Sequence, residues 1–414
     1  MMLTKRKEYF LLAVLACIQF THIVDFMLIM PLGPQLMRIM GILPGYFTQL
    51  VSAYTISAGI FGFLASFFLD RLERKRAILS VYFGFIVGTF LCGLSHTYIT
   101  LLLSRFITGA FGGILMGLTM SIIGDVIPIE RRGKAMGIVM SSFSIATVLG
   151  IPFSLLLANQ FSWETPFYFL AFLGSVVWIL GYLILPKIRI HLDHDRPKVH
   201  PFVDFMAIIR YPNHLYALSL TMVIMLGQFT VIPLINTYMV TNVGFSEQQL
   251  VYLYLSGGIF SIVASLLSGH LSDRFGHWRV FSIFSCLCAI PLFFLTHLNR
   301  QFIFIPILVS SLHFAFSSGR MVSGGTLVLS AVKPQHRGGF MSLNGCLQQL
   351  SAGIAAYVSG LIVYRAASGE LMHYSWVGYI AIASCFIAVW IAHFLHRAHQ
   401  ESGVVEVVDE GLKI

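Results

Sequence analysis

The stretch Gly269-His270-Leu271-Ser272-Asp273-Arg274-Phe275-Gly276 is a short polar break between two long apolar runs. Asp70-Arg71-Leu72-Glu73-Arg74-Lys75 interrupts the chain in the same way, and its Asp-Arg pair lies 203 residues before the later one, at 70 against 273. A second landmark also recurs. Arg132-Gly133-Lys134-Ala135-Met136 and Arg337-Gly338-Gly339-Phe340-Met341 are 205 residues apart. Two landmarks at nearly one offset predict a duplicated chain, as in transporters built from repeats.

The rest of the sequence says what is duplicated. Hydrophobic residues make up 57% and charged residues 10%, against about 25% charged in an average soluble domain. Mean hydropathy is +0.83. So few charges cannot cover a water-facing surface, and most of the surface must face lipid. A bilayer core takes about 20 apolar residues per helix. That length predicts twelve spans, at roughly 9–31, 47–69, 77–95, 98–124, 134–158, 164–185, 213–240, 248–270, 279–297, 302–328, 337–364 and 374–396. The first follows Lys5-Arg6-Lys7, as a signal peptide would, but it runs about 20 residues, contains Asp25 and lacks a small-residue cleavage site. It is expected to be retained. The expected fold is an all-α membrane protein of twelve transmembrane helices in two pseudo-symmetric six-helix bundles, 1–185 and 213–397. A loop at 186–212 joins them and a tail at 398–414 follows.

Charge placement sets orientation and excludes other classes. With the N-terminus in the cytoplasm, 21 of the 26 Lys and Arg fall on that side. Only Arg38, Arg300 and Arg365 fall opposite, while Arg105 and Arg320 lie within spans. Both termini are therefore expected to be cytoplasmic, in the plasma membrane (a bacterial inner membrane). The net charge of +9 is scattered in short clusters with no continuous basic face, so nucleic acid is not an expected partner. The six cysteines lie within apolar runs and read as free thiols; no metal site is expected. An enzyme would need a motif such as His-Glu-x-x-His or a loop large enough for an active site, and neither is present. No run resembles a channel's selectivity filter.

These motifs resemble those of the major facilitator superfamily, over essentially the whole chain. The family's loop pattern Gly-x-x-x-Asp-Arg-x-Gly-Arg-Arg is matched at Asp70, Arg71, Arg74 and Lys75, and departs at Ser66 and Glu73, where glycines are usual. The second copy keeps Gly269, Asp273, Arg274 and Gly276. The resemblance implies a cytoplasmic gate in which such residues bond helix ends and pair with acids such as Asp125 or Glu130; otherwise they only set topology. Arg105-x-x-x-Gly109 on span 4 resembles the family's arginine there. Gly150-Ile151-Pro152 on span 5 is similar to the Gly-Pro of drug-exporting antiporters with one residue interposed, a form nearer the branch related to sugar and arabinose-linked exporters. The implied activity is proton-driven efflux of a small organic solute, drug-like, sugar-like or an anionic metabolite. A monomer is expected, with the proton gradient in place of a cofactor. Proton-coupled uptake and an amphiphile or lipid flippase on the same fold are the alternatives.

Asp25 is the one acidic residue well inside a span. A charge at a helix centre costs roughly 2.5–3.5 kcal/mol on insertion scales, which calls for a partner. At 1.5 Å per residue, Asp25 lies about 9 Å and Arg105 about 10 Å below the outer surface. The two are expected to pair. His22, three residues before Asp25, shares its face. Burial disfavours the carboxylate and Arg105 favours it, so Asp25 reads either as the proton carrier or as half of a static ion pair. Arg320 on span 10 either contacts an anionic substrate, snorkels to the interface or bonds carbonyl groups of a neighbouring helix. His313 on the same helix either titrates or packs. Gln19, Gln228, Asn236 (near Pro233), Asn344 and Gln348 are candidates for the cavity lining, or else for bonds between helices.

Overall fold

The computed structural model of the chain describes residues 5–68, 72–186, 188, 210–300, 302–332 and 337–411. Among these, twelve long helical segments follow one another: Lys5–Leu28, Pro44–Ala65, Arg74–Gly93, Tyr98–Val126, Ile129–Gln160, Thr165–Ile184, Pro212–Val243, Leu250–Phe275, His277–Thr296, Phe304–Ser330, Arg337–Ile362 and Tyr374–Gly411. Ten are both long and apolar enough to cross a bilayer. Spans 10 and 11 are the other two, at 27 and 26 residues, and are long enough but more polar. Their polar side chains point inward: His313, Arg320 and Asn344 are buried. Conversely, many large apolar side chains point outward, such as Leu183, Leu266 and Phe172. That is the distribution of a chain dissolved in lipid.

Local chemistry sets the ends. Pro44, Pro166 and Pro212 stand in first turns, where a missing N–H is harmless. Span 4 opens on a capping box of Thr97 and Thr100. Gly276, at φ 89°, makes the abrupt turn from span 8 to span 9. Span 5 is interrupted by a π-turn over Ala146–Gly150, in which the Ile151 N–H bonds back five residues to Ala146 O. Pro152 has no N–H for the regular ladder, and the wider turn absorbs that loss.

Three features depart from the expected layout. A short helix, Gly33–Ile39, lies between spans 1 and 2. A two-residue hairpin, Tyr364–Arg365 against Leu371–Met372, lies between spans 11 and 12, and Asn242 holds it through both bonds to the Leu371 backbone, each 2.9 Å. The last helix does not stop near 396 but continues through the predicted tail to Gly411.

Helix packing carries the duplication into space. In the first half span 2 packs on 4, 3 on 4 and 6, and 1 on 5 and 6. The second half repeats each pairing six helices on: 8 with 10, 9 with 10 and 12, 7 with 11 and 12. The two large seams between halves, 2 with 11 and 5 with 8, are also images of one another. The apolar core is not distributed evenly along this bundle. At the end away from the termini, one core joins both halves, from Val24, Leu28, Phe47 and Ile151 to Ile235, Leu253, Leu292 and Val377. At the end bearing the termini, each half keeps its own core, around Ile78 and Leu118 in one and Phe281 and Phe340 in the other.

Candidate transport site

Span 1 and span 4 bring Asp25 and Arg105 together at the edge of the joint core. Arg105 Nη1 donates to Asp25 Oδ2 at 2.9 Å and to the Asp25 carbonyl at 3.2 Å. Both side chains are 0% exposed. Thr89 of span 3 donates its hydroxyl to Asp25 Oδ1 at 3.1 Å. Tyr54 of span 2 lies beneath the guanidinium, its ring centroid 4.3 Å from Cζ, a cation–π contact that compensates part of the desolvation. Arg105 Nε and Nη2 have no partner among the described residues.

The close approach of these helices depends on glycine. A Cβ on Gly109 would collide with the Tyr54 carbonyl oxygen, and one on Gly113 with that of Ala58. The glycines of span 4 therefore let span 2 lie against it, which sets Tyr54 under Arg105. His22 stands one turn from Asp25, stacked on Tyr54 and edge-on to Phe85. Neither of its nitrogens has a partner among the described residues.

The other predicted residues divide by location. Gln19 donates to Thr119 Oγ1 at 3.0 Å, tying span 1 to span 4. Asn236 donates to Tyr254 Oη at 2.8 Å, joining spans 7 and 8. Gln228 and Asn344 each hold a buried carbonyl oxygen without a partner among the described residues. Gln348 is half-buried. Arg320 is 2% exposed and its Nη1 donates to Cys385 Sγ of span 12 at 3.0 Å. His313 is 1% exposed and faces Cys288 Sγ at 3.8 Å. These two lie inside the second bundle with thiols as neighbours. Gly150 closes the π-turn against Val24, and Pro152 begins the helix beyond it.

The loop motifs fare differently in the two halves. Arg74 Nε pairs with Asp125 Oδ2 at 2.8 Å, and Lys75 Nζ donates to Tyr182 O at the same distance. Asp70 and Arg71 lie outside the described residues. Asp273 and Arg274 are exposed, and Arg274 rests over the Phe275 ring at 5.4 Å.

Contacts that the sequence did not announce close the end away from the termini. Arg38 of the short helix grips Glu247 of the second half with both terminal nitrogens, at 2.5 and 3.2 Å. Gln35 donates to Asn159 Oδ1 at 3.0 Å beside it. Tyr54 and Thr89 were likewise illegible, since a buried Tyr or Thr in an apolar run carries no signal of its own. Arg38 alone had one, as one of three positive charges on the side poor in them.

The model of the Major Facilitator Superfamily matches residues 15–316 and 217–412. The chain belongs to that superfamily. Within it, the uncharacterized MFS-type transporter YceJ of Bacillus subtilis (strain 168) is 24% identical over 344 residues, 82% of this chain and 85% of that one. The putative transporter AraJ of Escherichia coli (strain K12) is 23% identical over 324 residues, 76% and 78% of the two. Among solved structures, a bacterial homolog of the human lysosomal transporter Spinster, inward-facing and occupied, superposes with a TM-score of 0.74. It shares 15% identity and covers 95% of this chain and 98% of that one. Family and fold are those of transporters, not enzymes.

Proposed function

We propose that this superfamily member is a proton-coupled exporter, exchanging a small organic solute for protons across a bacterial inner membrane by alternating access. The observation that carries this reading is the Asp25–Arg105 pair, 0% exposed on both sides. A carboxylate so placed can be held as an anion by Arg105 or take up a proton, and only one form binds the guanidinium strongly. Proton uptake at Asp25 therefore frees Arg105, whose Nε and Nη2 have no other partner among the described residues. With both termini cytoplasmic, as the Lys and Arg bias implies, the joint core seals the outer side and the separated cores face inward. An intact ion pair in that state fits a carrier that has released its proton to the cytoplasm. The direction of transport rests on the Gly150-Ile151-Pro152 segment, which lies on the span 5 side of the seam with span 8.

Reconstitution in liposomes with an imposed pH gradient tests the coupling. Asp25→Asn is expected to abolish accumulation against a gradient while solute counterflow continues; gradient-driven accumulation in that variant would end the proposal. A deletion strain tested against toxic compounds and secreted metabolites gives the direction. Sensitivity with internal accumulation supports export, whereas loss of growth on one nutrient would replace it with uptake.

A further inference from the structure

The internal repeat supplies its own control for one site. Before span 3 the first half fills the turn with its own chain. Asp125 accepts from the Arg74 side chain at 2.8 Å, Ile188 O accepts from the Arg74 backbone N–H at 3.2 Å, and Tyr182 O accepts from Lys75. The 203-residue offset places His277, Trp278 and Arg279 where Arg74, Lys75 and Arg76 stand. The 205-residue offset places Ser330 where Asp125 stands. A guanidinium and an imidazole remain, but the carboxylate is replaced by a hydroxyl.

At that position the second half has a cavity of about 570 Å³, lined among others by Gly276, His277, Trp278, Arg279, Ser330 and His396. One wall is the start of span 9, where the cap residue is Gly276 and offers no side chain to the first N–H groups. Trp278 Nε1 and His277 Nδ1 are buried atoms with no partner among the described residues. Ser272, 4% exposed and one turn before Gly276, has a hydroxyl in the same condition. The Trp278 ring is held parallel to the His396 ring, 5.5 Å and 2° apart, which fixes the direction of its N–H. No carboxylate among the described residues pairs with Arg279. The start of a helix, an indole, an imidazole and a guanidinium line this cavity with no carboxylate beside them, the composition of a receptor for an anion, and for phosphate oxygens in particular.

We propose that this cavity binds a phosphate group, that of an anionic phospholipid at the bilayer surface, in the place that Asp125 occupies in the first half. Phe275, exposed at the same turn, extends the wall of the cavity with apolar surface suited to the start of an acyl chain.

The test uses the full-length protein in detergent, titrated with phosphatidylglycerol or phosphatidylcholine and read by native mass spectrometry. One phosphatidylglycerol is expected to be retained in preference to phosphatidylcholine. Arg279→Gln and Trp278→Phe should each weaken it about tenfold or more, the loss of one bond to a charged group. Ser330→Asp restores the carboxylate of the first half. It should displace the lipid while the protein unfolds at no lower temperature than wild type. Competition by excess inorganic phosphate locates binding at the phosphate group. Phosphate binding without any preference between the lipids would assign the site to soluble phosphate instead. Equal retention of both lipids without phosphate binding, or phosphatidylglycerol retention that survives Arg279→Gln and Ser330→Asp, would overturn the proposal.

Discussion

Asp25→Asn keeps the shape of the side chain and removes its charge, so it isolates what the ion pair contributes. Both members are fully buried and 2.9 Å apart, so solvent does not screen them. Taking one partner from a buried pair typically costs about 3–5 kcal/mol, because the other charge is left uncompensated. Two contacts soften that loss here. The Asp25 carbonyl still accepts from Arg105 Nη1 at 3.2 Å, and the Tyr54 ring at 4.3 Å is worth about 0.5–2 kcal/mol. A loss of about 2–3 kcal/mol is therefore expected for Asp25→Asn. Arg105→Gln should lose less, because the stranded Asp25 can take a proton. The double variant leaves two neutral amides able to bond each other. It should be less stable than wild type by no more than either single change, giving a coupling energy of about 2–3 kcal/mol. Equilibrium unfolding in mixed micelles, followed with a thiol-reactive dye, measures this directly. Cys92, Cys288, Cys346 and Cys385 are buried and free, so unfolding adds their reaction to that of the exposed Cys17 and Cys286. If the two single losses add to the double within about 0.5 kcal/mol, the pair is not coupled and the account of the site is wrong.

Other consequences follow from the same geometry. The Arg38–Glu247 bridge spans the halves but Arg38 is 65% exposed, so it should contribute only about 0.2–1 kcal/mol to the sealed state. Glu247→Arg is expected to raise the labelling rate of a cysteine at Ser52, inside the span 2–11 seam, and the exchange Arg38→Glu with Glu247→Arg to restore it; an unrestored rate would deny the latch. Gly109→Ala should lower the yield of folded protein on gel filtration, since its methyl group meets the backbone of Tyr54 and overpacking costs about 1–3 kcal/mol. Gly117→Ala, eight residues on with nothing within 4 Å of the new atom, should be neutral or stabilising by up to about 1 kcal/mol. In the same seam, at the end away from the termini, a Cβ on Gly360 would strike the Thr48 hydroxyl. Gly360→Ala should therefore wedge spans 2 and 11 apart and expose a cysteine at position 52 as Glu247→Arg does, and unchanged labelling would show that the seam yields elsewhere.

The spans, the repeat and the Asp25–Arg105 neighbourhood could be read from sequence because each rests on a local or arithmetic signal. Apolar runs have a required length, duplicated loops have an offset, and an acid inside a span must find a partner at its own depth. Arg320 had no such constraint. Its partner is a thiol on span 12, and cysteine in an apolar run looks the same whether it faces lipid or an arginine. Tyr54 under Arg105 depends on the contact of spans 2 and 4 through Gly109 and Gly113, which is tertiary information. The π-turn at Ala146–Gly150 lay hidden for a related reason: Pro152 signals a lost hydrogen bond, but not whether the helix will kink, break or widen. The last helix ran past its predicted end because apolarity marks where the bilayer stops, not where the backbone ladder does.

The proton coupling proposed for Asp25 needs a physical connection to the movement of the halves, and the packing of the first half offers one. Arg105 rests on Tyr54, Tyr54 packs against Phe26 at 5.3 Å between ring centroids, and Phe26 meets Phe229 of span 7 at 5.9 Å. Phe26 is next in sequence to Asp25, so span 1 presents its carboxylate to one neighbour and its ring to the opposite half. Val24, on the other side of Asp25, fills the space left by Gly150 at the π-turn, and that turn packs on span 8. Three consecutive residues thus touch the guanidinium, the second bundle and the π-turn of a seam. A change in charge at Asp25 that shifts span 1 by a fraction of an ångström acts on all three at once. Packed interfaces of this kind respond by switching between arrangements, not by bending. Contiguity alone does not establish energetic coupling. It gives the coupling proposed at Asp25 a route to the second half that needs no matching acid there.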